Sequence, residues 1–479
     1  MNSEKLLINN SVKGRSAYKF PPLDVKPAKP VKDCFTRLDE AILPEVSELD
    51  LVRHFSKLSS MAFGVDFGFY PLGSCTMKYN PKVNERLASL DGFNNIHPLQ
   101  DEDTVQGCLK IYYEMIKDLC EISGMDWGTL QPCAGAHGEY TGLKIIRSYF
   151  LDKKEEKRNI ILIPESAHGT NPASAHMNGF DIRIVKSDER GLVDLDDLKK
   201  NLKADVAGIM LTNPNTLGLF EVDILKISKM VHEAGGLLYY DGANMNAIMG
   251  KARPRDMGFD VVHFNLHKTF STPHGGGGPG SGPVLFVEKL KKFVPIPDVV
   301  FKDGKYKLDW NIEKSLGKVS SFYGNFLVIV RAYAYILSMG SDGLKSASEH
   351  AVLNANYMRV ILKKKYKVAY DRICMHEFVL SLQNLKDSTG VSALDISKSL
   401  IDRGYHPPTM YFPMIVHEAL MFEPTETESL QVMDECCDVI LDLYEKAEKT
   451  PEELKKSPCK TVIGRVDEVL AARNPVLKG

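Results

Sequence analysis

The sequence predicts an α/β protein with a large, mostly parallel-sheet domain and a smaller C-terminal α/β domain. Two observations carry this. From about residue 105, short apolar runs of strand length alternate with helical patterns, and such alternation builds a parallel sheet covered on both faces. That rhythm weakens after about residue 330, and 479 residues are too many for one compact core. The expected division is an N-terminal arm and helical segment over 1–80, a large domain over 81–330 and a small domain over 331–479.

The arm is Pro-rich from Pro21 to Pro30 and then helical in pattern near Val46 to Met61. Thr104 to Ile122 has helical periodicity. Ile160–Pro164, Asp181–Val185, Val206–Leu211 and Gly236–Tyr240 read as buried strands, with a helix over Leu225–Ala234 between the last two. A helix from Phe326 to Met339 opens the second mixed region, which contains the Lys-rich Leu362–Lys367 and the strand-like Glu377–Leu382. From Ser429 onward the tail is helical and charged, as a solvated helix face would be.

Composition excludes several classes. Hydrophobic residues at 44% and charged residues at 25% fit a globular chain rather than a disordered one. A formal charge of −2 offers no global attraction to nucleic acid or to an anionic membrane. Met1 to Phe20 lacks the apolar core of a signal peptide, and the most apolar window, Phe326 to Leu337, is too short to span a bilayer and contains Arg331. A cytoplasmic protein is expected. Nine cysteines without a CxxC pair, Cys436 and Cys437 alone being adjacent, point to reduced thiols. No zinc-finger, EF-hand or HExxH pattern supports a metal site.

Four segments at the ends of expected strands hold unusual residues. Ala134-Gly135-Ala136-His137-Gly138 precedes the helical run Glu139–Ser148; free backbone N–H groups at such a turn suit a phosphate, although most turns of this kind are plain connections. His168 follows an apolar strand within Glu165–Asn171, where ligands of α/β proteins sit, but a single His there is often a structural residue. Asp241 closes the buried run Leu237–Tyr240 and is either a loop cap or a carboxylate able to hold a pyridinium N–H. Lys268 lies in His263–Phe270, ahead of Gly275-Gly276-Gly277-Gly278-Pro279-Gly280-Ser281-Gly282. A poorly solvated lysine favours the neutral amine that builds a Schiff base, and the glycines let the chain pass close to a bulky ligand. The run is neither a Walker loop nor a dinucleotide fingerprint.

Order and spacing join these signals: phosphate turn, His, Asp and Lys follow one another, with 27 positions from Asp241 to Lys268. This arrangement resembles the fold-type-I, aspartate-aminotransferase-like family of pyridoxal-phosphate (PLP) enzymes. Pro71–Pro81, Glu165–Pro172, Leu211–Thr216 and Asn265–Phe270 resemble the glycine decarboxylase (P-protein) family of the glycine cleavage system more closely. The length and the Gly14–Val25 start are similar to the second subunit of its two-subunit bacterial and archaeal form.

The resemblance implies PLP as cofactor, with Lys268 as its Schiff-base lysine, Asp241 the partner of the ring nitrogen and His168 stacked on the ring. It further implies the Ala134–His137 turn at the phosphate, Thr212 near the phenolic oxygen and Ala243 beneath the ring. Cys75, Asn94 and His267 would belong to the glycine or lipoyl pocket, with His267 also near the cofactor. The implied reaction is decarboxylation of glycine with transfer of the aminomethyl group to the lipoyl arm of H-protein. The implied partner is subunit 1, in a heterotetramer of two plus two chains. The alternatives are another fold-type-I decarboxylase or desulfurase working without a lipoyl partner, and a non-catalytic scaffold subunit.

Overall fold

The computed structural model describes residues 6–28, 31–39, 41–274 and 280–477. Pro30 and the Gly275–Pro279 part of the glycine run lie outside the described residues. Two compact units emerge: residues 1–68 with 457–479, and residues 69–456. In the first, the helix Glu48–Met61 begins with a capping box in which Ser47 and Asp50 satisfy each other's backbone N–H. Leu49, Val52, Phe55 and Leu58 on this helix are exposed.

The larger unit is built on a seven-stranded sheet. Its strands are β1 (Trp127–Thr129), β2 (Ile160–Pro164), β3 (Asp181–Val185), β4 (Val206–Thr212), β5 (Leu237–Gly242), β6 (Val261–Phe264) and β7 (Val284–Phe286). The order is β1-β7-β6-β5-β4-β2-β3, with β7 the single antiparallel member. The central strands are buried along their whole length, as strands covered on both faces must be. Helices Gln106–Ser123, Gly135–Asp152 and Ile224–Glu233 turn apolar faces to the same core. A hairpin, β8 (Asp298–Lys302) with β9 (Lys305–Asp309), packs beside it.

The helix beginning at Phe326 breaks at Gly340 (φ 58°) and resumes to Leu362. Beyond it lies a four-stranded antiparallel sheet of β10 (Lys367–Val368), β11 (Phe378–Ser381), β12 (Thr409–Met410) and β13 (Ala419–Phe422), ordered β10-β11-β13-β12. The helices Ala393–Asp402 and Leu430–Lys449 cover it and close a second core. The segment Pro71–Gly73 runs along the edge of β13, where Gly73 N–H donates to Met421 O and Glu423 N–H to Pro71 O, both at 3.3 Å. This ties the small sheet to the loop that enters the site. All nine cysteines are free thiols, and among the described residues no helix is long and apolar enough to cross a membrane.

Candidate active site

The carboxyl ends of the parallel strands converge on one cavity of ≈ 180 Å³, the place where open α/β sheets hold ligands. Register explains the convergence. Thr212 at the end of β4 pairs with Asp241 on β5, and Asp241 pairs with His263 on β6. Equal phase along parallel neighbours sends these side chains to the same face. The turn after β1 delivers Gly135 and Ala136, the loop after β2 delivers His168, and the turn after β6 delivers His267 and Lys268.

Asp241 is buried and fully engaged. Its Oδ2 accepts from Asn171 Nδ2 at 2.9 Å, its Oδ1 accepts from Ala243 N–H at 3.0 Å, and His263 Nε2 lies 3.4 Å from Oδ1. Burial raises the carboxyl, but His263, the Asn171 amide and the Ala243 N–H lower it further, so Asp241 stays ionised below its ordinary range. Burial holds the His263 imidazole down and neutral, so the two directed hydrogen bonds are the dependable stabilisers of the carboxylate. A second buried acid, Glu139, is the fifth residue of the helix Gly135–Asp152. Its carboxyl, Asp241 and His263 present ligating atoms within 4.8 Å of one another. Burial, then the charge on Asp241, pushes Glu139 up to about 7.

His168 is held by its Nδ1, which lies 2.9 Å from Thr170 Oγ1 and accepts from Thr170 N–H at 3.2 Å. Burial lowers its pKa, leaving a neutral ring, and Phe412 packs edge-on at 5.5 Å. His267 is likewise pushed down to about 3 by burial, and its Nδ1 accepts from Ser281 N–H at 3.2 Å.

Lys268 is half-buried, and its Nζ donates to Ser74 O at 2.8 Å. Ser74 is left-handed (φ 62°), a conformation that costs about 1–3 kcal/mol for a residue with a side chain. Three anchors hold that loop in place. Ser74 N–H donates to Glu377 Oε2 at 2.7 Å, Thr76 Oγ1 donates to Glu423 Oε1 at 2.5 Å, and Cys75 Sγ lies 3.7 Å from His274 Nδ1. Glu377 and Glu423 are both buried. Burial and mutual repulsion raise Glu377 well above its ordinary range, and burial pushes Glu423 up to about 7. Two carboxylates this close and this dry share at least one proton.

The cavity thus gathers Lys268, Asp241, His168 and Thr212 with Gly135, Ala136, Ala243 and His267. Ala134 does not line it; it is the residue that caps the helix behind Gly135. Asn94 lines a different cavity of ≈ 490 Å³, beside Phe93, His97 and Tyr112. Cys75 lies one residue beyond Ser74, which does reach the wall. Glu139, Thr170, Thr216, His263 and Asn265 also line the cavity and carried no role in the sequence reading. A signal for Glu139 was present: it shares a helix face with Gly142, Leu143 and Ile146, all buried, where an acid is costly unless it is used.

A mostly parallel sheet of this order, with a lysine after β6 and an aspartate on β5 lining one cavity, defines the class as PLP-dependent enzymes of fold type I. Solved structures agree on the fold. A glycine decarboxylase (P-protein) of the glycine cleavage system, in inhibitor-bound form, aligns with TM-score 0.73 and 18% identity over 86% of this chain and 93% of its own. Lactobacillus brevis glutamate decarboxylase aligns with TM-score 0.66 and 13% identity over 90% and 96%. Residues 138–278 match the aminotransferase class-V family and residues 347–462 the glycine dehydrogenase C-terminal domain family. Probable glycine dehydrogenase (decarboxylating) subunit 2 from Caldanaerobacter subterraneus subsp. tengcongensis is 58% identical, over 99% of this chain and 98% of that protein. The protein of the same name from Treponema denticola is 58% identical over 99% and 98%. The chain belongs to the glycine dehydrogenase (decarboxylating) subunit 2 family, and its cofactor is PLP.

The residues present fit that cofactor. Thr212 Oγ1 and Asn265 Oδ1 are buried polar atoms with no hydrogen bond among the described residues, and both residues line the cavity. A Cβ at Gly135 would collide with the Asn265 side-chain amide, so a glycine lets the backbone pass close to that side chain at the cavity wall.

Proposed function

We propose that the chain is the cofactor-bearing subunit of a glycine-decarboxylating enzyme. It acts with a subunit 1 in a two-plus-two assembly in the cytoplasm and passes the aminomethyl group of glycine to the lipoyl arm of H-protein. The observation that carries the reading is the near full-length identity to proteins of that name, joined to a cavity walled by Lys268, Asp241 and His168.

PLP, when bound, supplies an electron sink for the pair released as the Cα–carboxylate bond of glycine breaks. Lys268 Nζ would hold the cofactor covalently. Once displaced by the amine of glycine, it has Ser74 O as a ready acceptor at 2.8 Å, which keeps the amine beside the reacting atoms. Asp241 would hold a proton on the ring nitrogen; the Asn171 and Ala243 donors keep its carboxylate ionised for that task. His168 and Ala243 would bracket the ring, and the Thr212 hydroxyl would reach its phenolic oxygen. The amides at the start of the helix Gly135–Asp152 would take the phosphate, because the first turn leaves its N–H groups free. Cys75, with His274, is proposed for the side from which glycine and the lipoyl arm enter.

The test is exchange of labelled bicarbonate into glycine by the purified chain with PLP, adding subunit 1 and lipoylated H-protein separately and together. Full exchange is expected only with all components present. Full exchange by this chain alone would remove the partner claim. Methylamine released from glycine without H-protein would favour a free-standing decarboxylase.

A further inference from the structure

The Thr170 hydroxyl lies 2.7 Å from Glu139 Oε1 and 2.9 Å from His168 Nδ1, and it has one hydrogen to give. The backbone N–H of the same threonine donates to His168 Nδ1 at 3.2 Å. Nδ1 is therefore an acceptor and carries no proton. Its contact with Thr170 Oγ1 is then a hydrogen bond only if the hydroxyl donates to it. That leaves nothing for Thr170 to give Glu139, so the 2.7 Å contact requires the Glu139 carboxyl to donate. The opposite arrangement, an ionised Glu139 receiving the hydroxyl hydrogen, needs an Nδ1–H that would point at the Thr170 N–H. Ser174 Oγ donates to Glu139 Oε2 at 2.8 Å in either arrangement.

We propose that Glu139 is a proton-bearing positioning residue: through the Thr170 hydroxyl it fixes His168 as the neutral tautomer with its hydrogen on Nε2. The proposal rests on the reading of His168 as the residue facing the cofactor ring, and it adds the device that sets that ring's orientation. Burial and the Asp241 charge favour the proton on Glu139, against the hydrogen bonds of Thr170, Ser174 and Asn171. The titratable groups that share its surroundings are Asp241 and Tyr239 from β5, His263 from β6, His168 from the loop after β2 and Lys268 from the turn after β6. Asp241 contributes a negative charge that a second carboxylate would have to face. When Glu139 loses its proton, the Thr170 hydroxyl turns to the carboxylate, and Nδ1 keeps only its backbone donor.

Nitrogen-15 NMR of histidine-labelled, cofactor-free chain reads the tautomer directly, with His168 assigned by its loss in His168→Gln. The wild type at pH 6 is expected to show His168 protonated on Nε2. Glu139→Gln should retain that state, because the amide N–H donates to Thr170 as the acid does while its oxygen still accepts from Ser174. Glu139→Ala and the isosteric Thr170→Val should each shift the tautomer ratio toward Nδ1–H by about fivefold, the equivalent of one hydrogen bond. A wild-type His168 protonated on Nδ1 would overturn the proposal, as would a Glu139→Gln shift as large as that of Glu139→Ala. The measurement uses no cofactor, so its outcome is separable from failure of the PLP assignment.

Discussion

Asp241→Asn isolates the charge at the proposed ring-nitrogen position. The native carboxylate takes one hydrogen bond on each oxygen, from Asn171 Nδ2 and from Ala243 N–H. An amide can keep the Ala243 bond with its oxygen but then turns its NH₂ toward the Asn171 donor. Asn171 Oδ1 is buried and makes no hydrogen bond among the described residues, so Asn171 can reverse its own amide and accept from the new NH₂. The fold should therefore survive, with a loss below about 1 kcal/mol. The charge has no such substitute. Loss of a charge-assisted hydrogen bond costs about 1.5–3 kcal/mol, which predicts PLP bound roughly 10- to 100-fold more weakly, since each 1.4 kcal/mol is about tenfold. Decarboxylation should fall by at least about 100-fold, because the electron sink depends on a protonated ring nitrogen. Cofactor affinity by absorbance titration, exchange rate with the full set of components and thermal melting together decide it. Wild-type affinity and rate would reduce Asp241 to a loop cap, and a collapsed melting temperature would refute the compensating amide.

Three further outcomes are expected. His168→Ala should bind PLP about fivefold more weakly, the loss of roughly 1 kcal/mol of ring stacking, with the melting temperature of the cofactor-free chain little changed; unaltered affinity would make His168 structural. Gly218→Ala should destabilise the larger unit by about 3 kcal/mol in urea unfolding. Gly218 has φ 75°, and a Cβ there would fall 1.8 Å from Glu377 O; near-native stability would mean that the Glu377 backbone yields freely. Glu423 has a folded pKa raised to about 7 by burial. Its contribution is therefore fully present below the ordinary carboxyl range and lost as pH rises through about 7. Melting temperatures of wild type and Glu423→Gln should diverge between pH 5 and pH 8 in favour of the variant, and parallel profiles would contradict the assignment.

What the sequence revealed follows from how local each feature is. Ile160–Pro164 and Asp181–Val185 form strands over the residues expected; Val206–Thr212 runs one residue beyond the expected end, and Leu237–Gly242 starts one residue later and ends two later than expected. All are continuous apolar runs whose flanking turns are explicit in the chain. Trp127–Thr129 and Val284–Phe286 are three-residue strands, too short to show a period, and they acquire strand geometry from their partners across the sheet edge. Val261–Phe264 was legible only as part of the lysine motif. Lys268, Asp241 and His168 could be proposed from the chain because each closes or follows an expected strand, where an α/β fold places its ligand, whereas Thr212 came only from the family resemblance. Glu139, Thr170 and His263 could not be, because their meaning lies in mutual distances set by two helices and one strand. The buried pair of Glu377 and Glu423 is the extreme case: 46 positions apart in the chain, they meet only because β11 pairs with β13 in the small sheet.

Borohydride reduction of the PLP-loaded chain followed by peptide mapping tests the central claim most directly. Loss of the visible absorption band is expected, with one reduced adduct on the peptide containing Lys268 and none in Lys268→Arg. Lys78 is a fully buried lysine, already committed to Glu426 at 2.7 Å and Asn246 at 2.8 Å, and it serves as an internal control that should remain unmodified. An adduct on Lys78 or on any other lysine, or a cofactor that reduction fails to trap, would contradict the account.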